Sequence, residues 1–483
     1  MTIRQSRHLP AALLAVAAAL TVAGCGGADG SPGSGIAGFD PCAETAKKQF
    51  VLNVARDRYL FLDLLPANVD INAFATAGEL LDHLTATARA QNRDRFFSAI
   101  TTISSEQQFF AEGTSVGFGI TTSLRPAGAP TQLFVAQVFE GSAAADAGFL
   151  RGDEILAIGS SQSSLETIAT LLARPDGISQ AIGPPTAGLT RIFRVRTPSG
   201  NTVERTVTKR EFALNAVPSG LVRTFPRPGL SPIGYLTLRT YVSTADEPLR
   251  NAFAQFRSLN ITDIVVDLRY NGGGLVSTAE LFMNLFAGSL ANQVMYQTRF
   301  NRNYTAQQQS IRFAAPALPQ AVGALRIAFI TTAASASATE LSINSLAPYA
   351  QIAIIGAPTF GKPVGQTAHD IASCDFRLRL VSFQTVNRDG YGDYFNGLPP
   401  NDNNYTDAFC AAADDLTQPL GSDNEASLRE ALGWISQNRC GATLDGPVPQ
   451  KTAGERETLL KSQGDVPLLR GAGPLAYYLP GTF

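Results

Sequence analysis

Thr331-Thr332-Ala333-Ala334-Ser335-Ala336-Ser337-Ala338-Thr339-Glu340-Leu341 joins an apolar run at 325–330 to a helix-period run at 339–346. A strand therefore passes through small residues into a helix. A serine at such a helix start gains from the positive end of the helix dipole and from N–H groups that have no intrahelical acceptor. Small neighbours leave room for a substrate. Plain N-capping by Ser335 or Ser337 accounts for the same residues.

Working outward, short apolar strands are expected at 233–238, 264–268 and 351–355, and helices at 244–259 and 277–286. Alternation of this kind predicts an α/β domain, here 213–445. Strand ends are where such folds place their sites, and two more ends carry chemistry. Asp267-Leu268-Arg269-Tyr270-Asn271-Gly272-Gly273-Gly274 leaves backbone N–H groups uncovered by side chains, as an oxyanion hole requires; a flexible turn would read the same. In Thr359-Phe360-Gly361-Lys362-Pro363-Val364-Gly365-Gln366, an extended chain puts Lys362, Val364 and Gln366 on one face. A solvated loop lysine is the ordinary alternative.

Upstream, 112–212 is strand-like, with alternation at 192–196 and 203–207 around the turn Pro198-Ser199-Gly200-Asn201. Gly117-Phe118-Gly119-Ile120 is a glycine loop entering a strand. Ser142 to Gly148 is a short capped helix, continued by Arg151-Gly152-Asp153-Glu154-Ile155. This order resembles the PDZ family, a β-sandwich or barrel-like domain. The resemblance implies that Gly117, Phe118, Gly119 and Ile120 receive a peptide's C-terminal carboxylate while the peptide adds to a sheet edge. Residues 43–111 have helical periodicity, with Leu80, Leu81, Leu84 and Ala88 on one face and 59–65 continuing the pattern. This N-terminal module carries no recognisable chemistry.

Strand-DLRYNGGG, strand-SASATE and strand-GKPVGQ, in this order, resemble the C-terminal processing peptidases, also called tail-specific proteases. The lysine follows the serine by 25 residues, as in that family. The resemblance implies Ser337 as nucleophile, Lys362 as general base and Gln366 as the residue orienting the lysine. It also implies an oxyanion hole from the N–H groups of Ala338 and Gly273, with Gly274 as the alternative. Members that use an Asp eleven residues after the serine are not matched, because that position is Pro348. Pro363 departs from the small residue expected there and puts the local strand geometry in doubt. The implied activity is a serine endopeptidase acting through an acyl-enzyme on exported proteins with free C-termini, without cofactor or metal.

The N-terminus reads as a secretory signal at 1–24: Arg4 and Arg7, an apolar run at 11–20, then Val22-Ala23-Gly24-Cys25. The last four residues resemble the bacterial lipobox, which implies lipidation of Cys25. Gly26 after it implies the outer membrane, facing the periplasm. Residues 25–42 form a flexible tether, and 446–483 are a tail without assignable role. Cys42, Cys374, Cys410 and Cys440 suit two disulfides in an exported chain. Their pairing stays open, with Cys374 to Cys410 preferred.

Composition bounds the rest. At 483 residues with net charge −2, 45% hydrophobic and 16% charged, the chain is globular and multidomain, with no basic excess for nucleic acid. Three rivals remain. His369 beside Asp370 could serve a histidine-based hydrolase. Gly356 to Lys362 fits a phosphate-binding GxxxxGK, but the following Pro363 replaces the magnesium-binding Ser or Thr, so no nucleotide is expected. The third is a non-catalytic PDZ-containing lipoprotein that only binds peptides.

Overall fold

The computed structural model describes residues 40–399, 408–443 and 446–447. The expected signal, Cys25, the tether to residue 39 and the tail from 448 lie outside the described residues.

A six-stranded sheet organises the α/β region, in the order Val222–Arg227, Leu230–Thr237, Asp263–Asp267, Arg326–Thr331, Gln351–Gly356 and Ala408–Ala411. The first pair is antiparallel and the rest are parallel. Asp263–Asp267 is buried throughout, because helices cover both faces, as parallel sheets require. On one face lie Asp246–Ser258 and Val276–Phe286, which contribute Leu249, Phe253, Phe256, Phe282 and Phe286 to the largest core. On the other lies Ala426–Gln437, whose Leu428, Ala431, Trp434 and Ile435 pack on Val265, Ala328 and Ile355. The register sets Asp267 beside Ile330 and Ile330 beside Ile355. The three motif segments that follow these residues therefore leave the sheet at one edge.

A second sheet is built on the long strand Phe376–Val386. Val364–Ile371 pairs with it on one side; Ala99–Thr101 and Val294–Phe300 pair on the other, and Ser310–Arg312 extends the sheet. The N-terminal module packs on this sheet. Helices Glu44–Arg58 and Ala77–Ala90 bring Val51, Leu52, Leu80, Leu81 and Leu84 against Val364, Leu378 and Leu380. The module is less helical than its periodicity suggests. The chain leaves the first helix at Tyr59, and the Leu60 N–H donates to Val381 O at 2.9 Å. Ala99–Thr101 is a strand, because the open edge of Phe376–Val386 outweighs its local propensity.

A third sheet orders Ile120–Arg125, Gln132–Val138, Glu154–Gly159, Thr190–Arg196 and Thr202–Thr208, with Glu166–Thr167 on the middle strand. Its short helix Ala143–Asp146 is capped by Ser142 Oγ, which accepts from the Ala145 N–H, and Gly148 supplies the left-handed residue behind it.

The preferred Cys374–Cys410 bridge is not formed. Cys42 pairs with Cys374 and Cys410 with Cys440, at Cα separations of 5.4 and 5.2 Å, both within the span a disulfide can close. The reason is placement: Cys374 lies at the tip of the Val364–Val386 hairpin beside the first helix, whereas Cys410 sits in the other sheet against the end of Ala426–Gln437.

Candidate active site

The serine turn follows Arg326–Thr331. Ser335 is buried; its Oγ donates to Leu268 O at 2.8 Å and accepts from the Thr332 N–H, so it ties two strand ends together. Ser337 is only half-buried and begins the helix Ala338–Leu346 with φ 59° and ψ −115°. A non-glycine residue there is strained, and the surrounding bonds hold it. The Ser337 N–H donates to Glu340 Oε2 at 2.8 Å, while the Ala336 N–H and Thr339 Oγ1 both donate to Asn271 O at 3.0 Å. Of the two serines, Ser335 is structural and Ser337 is the one open to a ligand.

The glycine loop is pressed against this turn. Gly273 has φ 108°, and a Cβ there would stand 2.8 Å from Ala338 N and from Ser337 Cβ, so only glycine fits. Its carbonyl accepts from the Tyr241 N–H at 2.9 Å and from Thr240 Oγ1 at 3.1 Å. At Gly274 a Cβ would meet Tyr241 O at 2.1 Å. The expected pair of oxyanion donors is thus brought together, with one qualification. The Gly273 N–H donates to Asn271 Oδ1 at 2.9 Å, and Asn271 Nδ2 is itself held by Leu238 O at 2.8 Å. Ala338, in the first turn of its helix, has no intrahelical acceptor for its N–H.

Lys362 is buried. Burial pushes its ammonium down to about 7, with the positive charge of Arg379 assisting and Asp94 and Glu340 opposing. Nζ donates to Gln366 Oε1 at 2.9 Å and lies 5.2 Å from the centre of the Phe97 ring. Gln366 Nε2 donates in turn to Phe97 O. Pro363 does no harm to the geometry, because the strand begins one residue later, at Val364, and Pro363 O accepts from the Thr385 N–H.

Glu340 is the residue that motif reading left without a role. Its buried carboxylate takes the N–H of Ser337 and of Lys362 on Oε2, both at 2.8 Å. Oε1 takes the Gly361 N–H at 2.6 Å and Thr359 Oγ1 at 2.5 Å. Burial pushes this carboxyl up and the four donors pull it down. One side chain thus fixes the backbone of both the serine and the lysine. The signal was present as the Glu in SASATE, but its partners lie about twenty residues on. The same bonds dispose of a phosphate loop: the amides of Gly361 and Lys362, which would face the anion, already hold a carboxylate.

The histidine alternative is not assembled. His369 Nε2 is 2.8 Å from Thr367 Oγ1, and both oxygens of Asp370 are bound by Arg377. The glycine loop of the third sheet is anchored by its carbonyls, Phe118 O to the Ala144 N–H and Gly119 O to the Phe139 N–H, each at 2.9 Å. Phe118 and Ile120 are core residues, Gly117 ends the strand Thr114–Gly117, and Gly119 has φ 85°. The following strand, Ile120–Arg125, is last in its sheet among the described residues.

A buried ion cluster joins that sheet to the DLRYNGGG loop. Asp414 accepts from Arg125, Arg151 and Arg269 at 3.0, 2.7 and 3.2 Å and from Tyr270 Oη at 2.6 Å. Burial pushes the Asp414 carboxyl up, but the three arginines outweigh it and hold it far below the usual range. Arg269 also pairs with Asp267 and Glu425, and Arg151 donates to Tyr270 Oη at 2.9 Å.

Known proteins resemble this chain in sequence and in fold. The model of peptidase family S41 matches residues 232–402, and that of the peptidase S41 N-terminal domain matches 46–99. A protein of Staphylococcus epidermidis named a CtpA-like serine protease is 24% identical over 168 residues, covering 35% of this chain and 33% of the relative. The chloroplastic carboxyl-terminal-processing peptidase 2 of Arabidopsis thaliana is 25% identical over 265 residues, 54% of this chain and 47% of the relative. The crystal structure of a protein assigned as an S41 protease from Bacteroides fragilis superposes with a TM-score of 0.62 at 22% identity, over 81% of this chain and 97% of that one. The matched stretch thus spans a third to a half of these curated relatives. Residues 232–402 thus resemble peptidase family S41, and residues 46–99 resemble the N-terminal domain of that family.

Proposed function

We propose that this chain is a serine endopeptidase in which Ser337 attacks a peptide carbonyl and Lys362 is the base. The observation that carries the reading is a buried lysine held near neutrality and joined to the serine through a shared carboxylate. Neutral Lys362 takes the Ser337 proton as Oγ bonds to the carbonyl carbon. The ammonium so formed returns that proton to the leaving amine as the C–N bond breaks; water then attacks the acyl-enzyme with Lys362 again accepting a proton, which it passes to Ser337 Oγ as the ester bond breaks. The developing oxyanion meets the Ala338 N–H, and takes that of Gly273 once Asn271 releases it. Gln366 orients the lysine.

Substrates are proteins recognised through free C-termini at Gly117 to Ile120, where a PDZ-type loop meets a sheet edge. The reading extends to an exported chain, lipid-anchored through Cys25 in the outer membrane and facing the periplasm. Two bridged cysteine pairs suit such an oxidising compartment. The bond from the Gly273 N–H to Asn271 favours a second reading, a peptide-binding lipoprotein without catalysis. Cleavage of an unstructured protein with a free apolar C-terminus by the wild type, Ser337→Ala and Lys362→Ala decides between them. Turnover lost in both variants supports the peptidase; an inert wild type, with peptide added as well, leaves the binding protein.

A further inference from the structure

The N-terminal module touches the lysine. The segment Asp94 to Ser98 is fixed by buried Asp94, whose carboxylate accepts from the Phe97 N–H at 2.8 Å, the Ser98 N–H at 3.0 Å, Ser98 Oγ at 2.7 Å and Tyr59 Oη at 2.9 Å. From this platform Arg95 Nη2 donates to the carbonyls of Phe360 and Gly361, each at 2.7 Å, immediately before Lys362. Phe97 contributes two things: its carbonyl to Gln366 Nε2 and its ring to the wall beside Lys362 Nζ. The module is fastened at its far end by Cys42–Cys374, on the hairpin that carries Gln366.

The chemistry of an amide gives these contacts a direction. A backbone carbonyl can only accept, so Phe97 O selects the nitrogen end of Gln366 and turns the oxygen toward Lys362. A neutral amine has two N–H groups and one lone pair. Gln366 Oε1 engages an N–H and leaves the lone pair for the serine proton. A flipped amide would donate into that lone pair and block it. The Phe97 ring keeps water from the same amine, and burial is the leading cause of its lowered basicity.

We propose that the helical N-terminal module is a positioning element of the catalytic site: Phe97 sets the Gln366 amide and closes the Lys362 pocket, Arg95 holds the segment before the lysine, and Cys42–Cys374 keeps the module seated. The proposal rests on the serine–lysine reading above. Its test uses the full chain carrying Arg95→Met, Phe97→Leu or the pair Cys42→Ser/Cys374→Ser, each compared with the wild type for kcat, KM, the pH dependence of kcat and the titration of Lys362 followed by NMR with labelled lysine side chains. The expected result is a kcat lowered by about tenfold or more, a KM within about twofold, and the acid limb of the profile and the Lys362 titration both moved upward by about one pH unit or more. The conservative Phe97→Leu variant and the disulfide variant keep the test open where Arg95→Met melts without a cooperative transition. Variants that melt cooperatively but keep the wild-type acid limb and Lys362 titration overturn the proposal, whatever their loss of stability. If the wild type cleaves nothing, the peptidase reading falls on its own, and the Lys362 titration still judges the module.

Discussion

Replacing Lys362 with methionine should make the protein more stable at acid pH while abolishing cleavage. Lys362 is 2% exposed, and burial moves its ammonium from 10.5 to about 7. Between these values the unfolded chain binds a proton that the folded chain does not, so this group makes stability rise with pH across that window. Below about pH 7 the folded protein must carry a buried ammonium, at a cost of roughly 5 kcal/mol for about 3.5 pH units. Methionine fills a similar volume without charge and forfeits the bond to Gln366, worth about 1 kcal/mol. The variant should therefore gain roughly 4 kcal/mol at about pH 6, and the gain should shrink by roughly 3 kcal/mol by about pH 9.5. Urea unfolding of the wild type and Lys362→Met at both pH values measures this directly. A variant less stable than the wild type at about pH 6, or a difference that does not change with pH, would refute the argument that a neutral lysine is built into this site.

Other expectations are more local. The kcat of the wild type should rise through about pH 7 and level off above it, as Lys362 loses its proton; a profile flat from pH 5 to 9 would contradict that. Glu340→Gln places an amide N–H₂ against N–H donors and should lower kcat by about a hundredfold and cost about 2 kcal/mol of stability, read from kinetics and urea melts. Asp414→Asn leaves three arginines with too little counter-charge and should cost about 3 kcal/mol or more in the same melts, since breaking a buried ion network strands its remaining charges. Gly273→Ala must place a methyl 2.8 Å from Ala338 N and should remove activity while KM changes less than kcat.

The parallel core of the α/β region was legible because four of its strands and three of its helices have local signals, whereas Val222–Arg227, Ala408–Ala411 and Ala426–Gln437 went unread. Apolar runs at 264–268 and 351–355 became buried parallel strands, and small residues between strand and helix marked the Ser337 turn. The roles expected of Lys362 and Gln366 came from the resemblance to the C-terminal processing peptidases, since an extended run alone says only that the two share a face. What the chain did not disclose locally was anything set by long-range pairing. Ala99–Thr101 looked helical until Phe376–Val386 offered it an edge. The Cys42–Cys374 bridge joins residues 332 apart, which no spacing rule reaches. Half of the part played by Phe97 lies in a main-chain carbonyl, which is the same in every residue, and the other half in a ring that only the folded chain brings to Lys362. Asn271 was read only as part of a glycine-rich loop, yet its side chain occupies the Gly273 amide.

The Asp414 cluster has a consequence for how the third sheet can move. Taken together, Arg125, Arg151 and Arg269 balance Asp414, Asp267 and Glu425, three charges of each sign, with the carboxylates and Arg269 buried and Arg125 and Arg151 partly exposed at the rim. Lifting the sheet away would carry off Arg125 and Arg151 and leave one cation facing three anions beneath the glycine loop. No partial displacement keeps that balance. Separating the two parts therefore costs least when water reaches all six groups together.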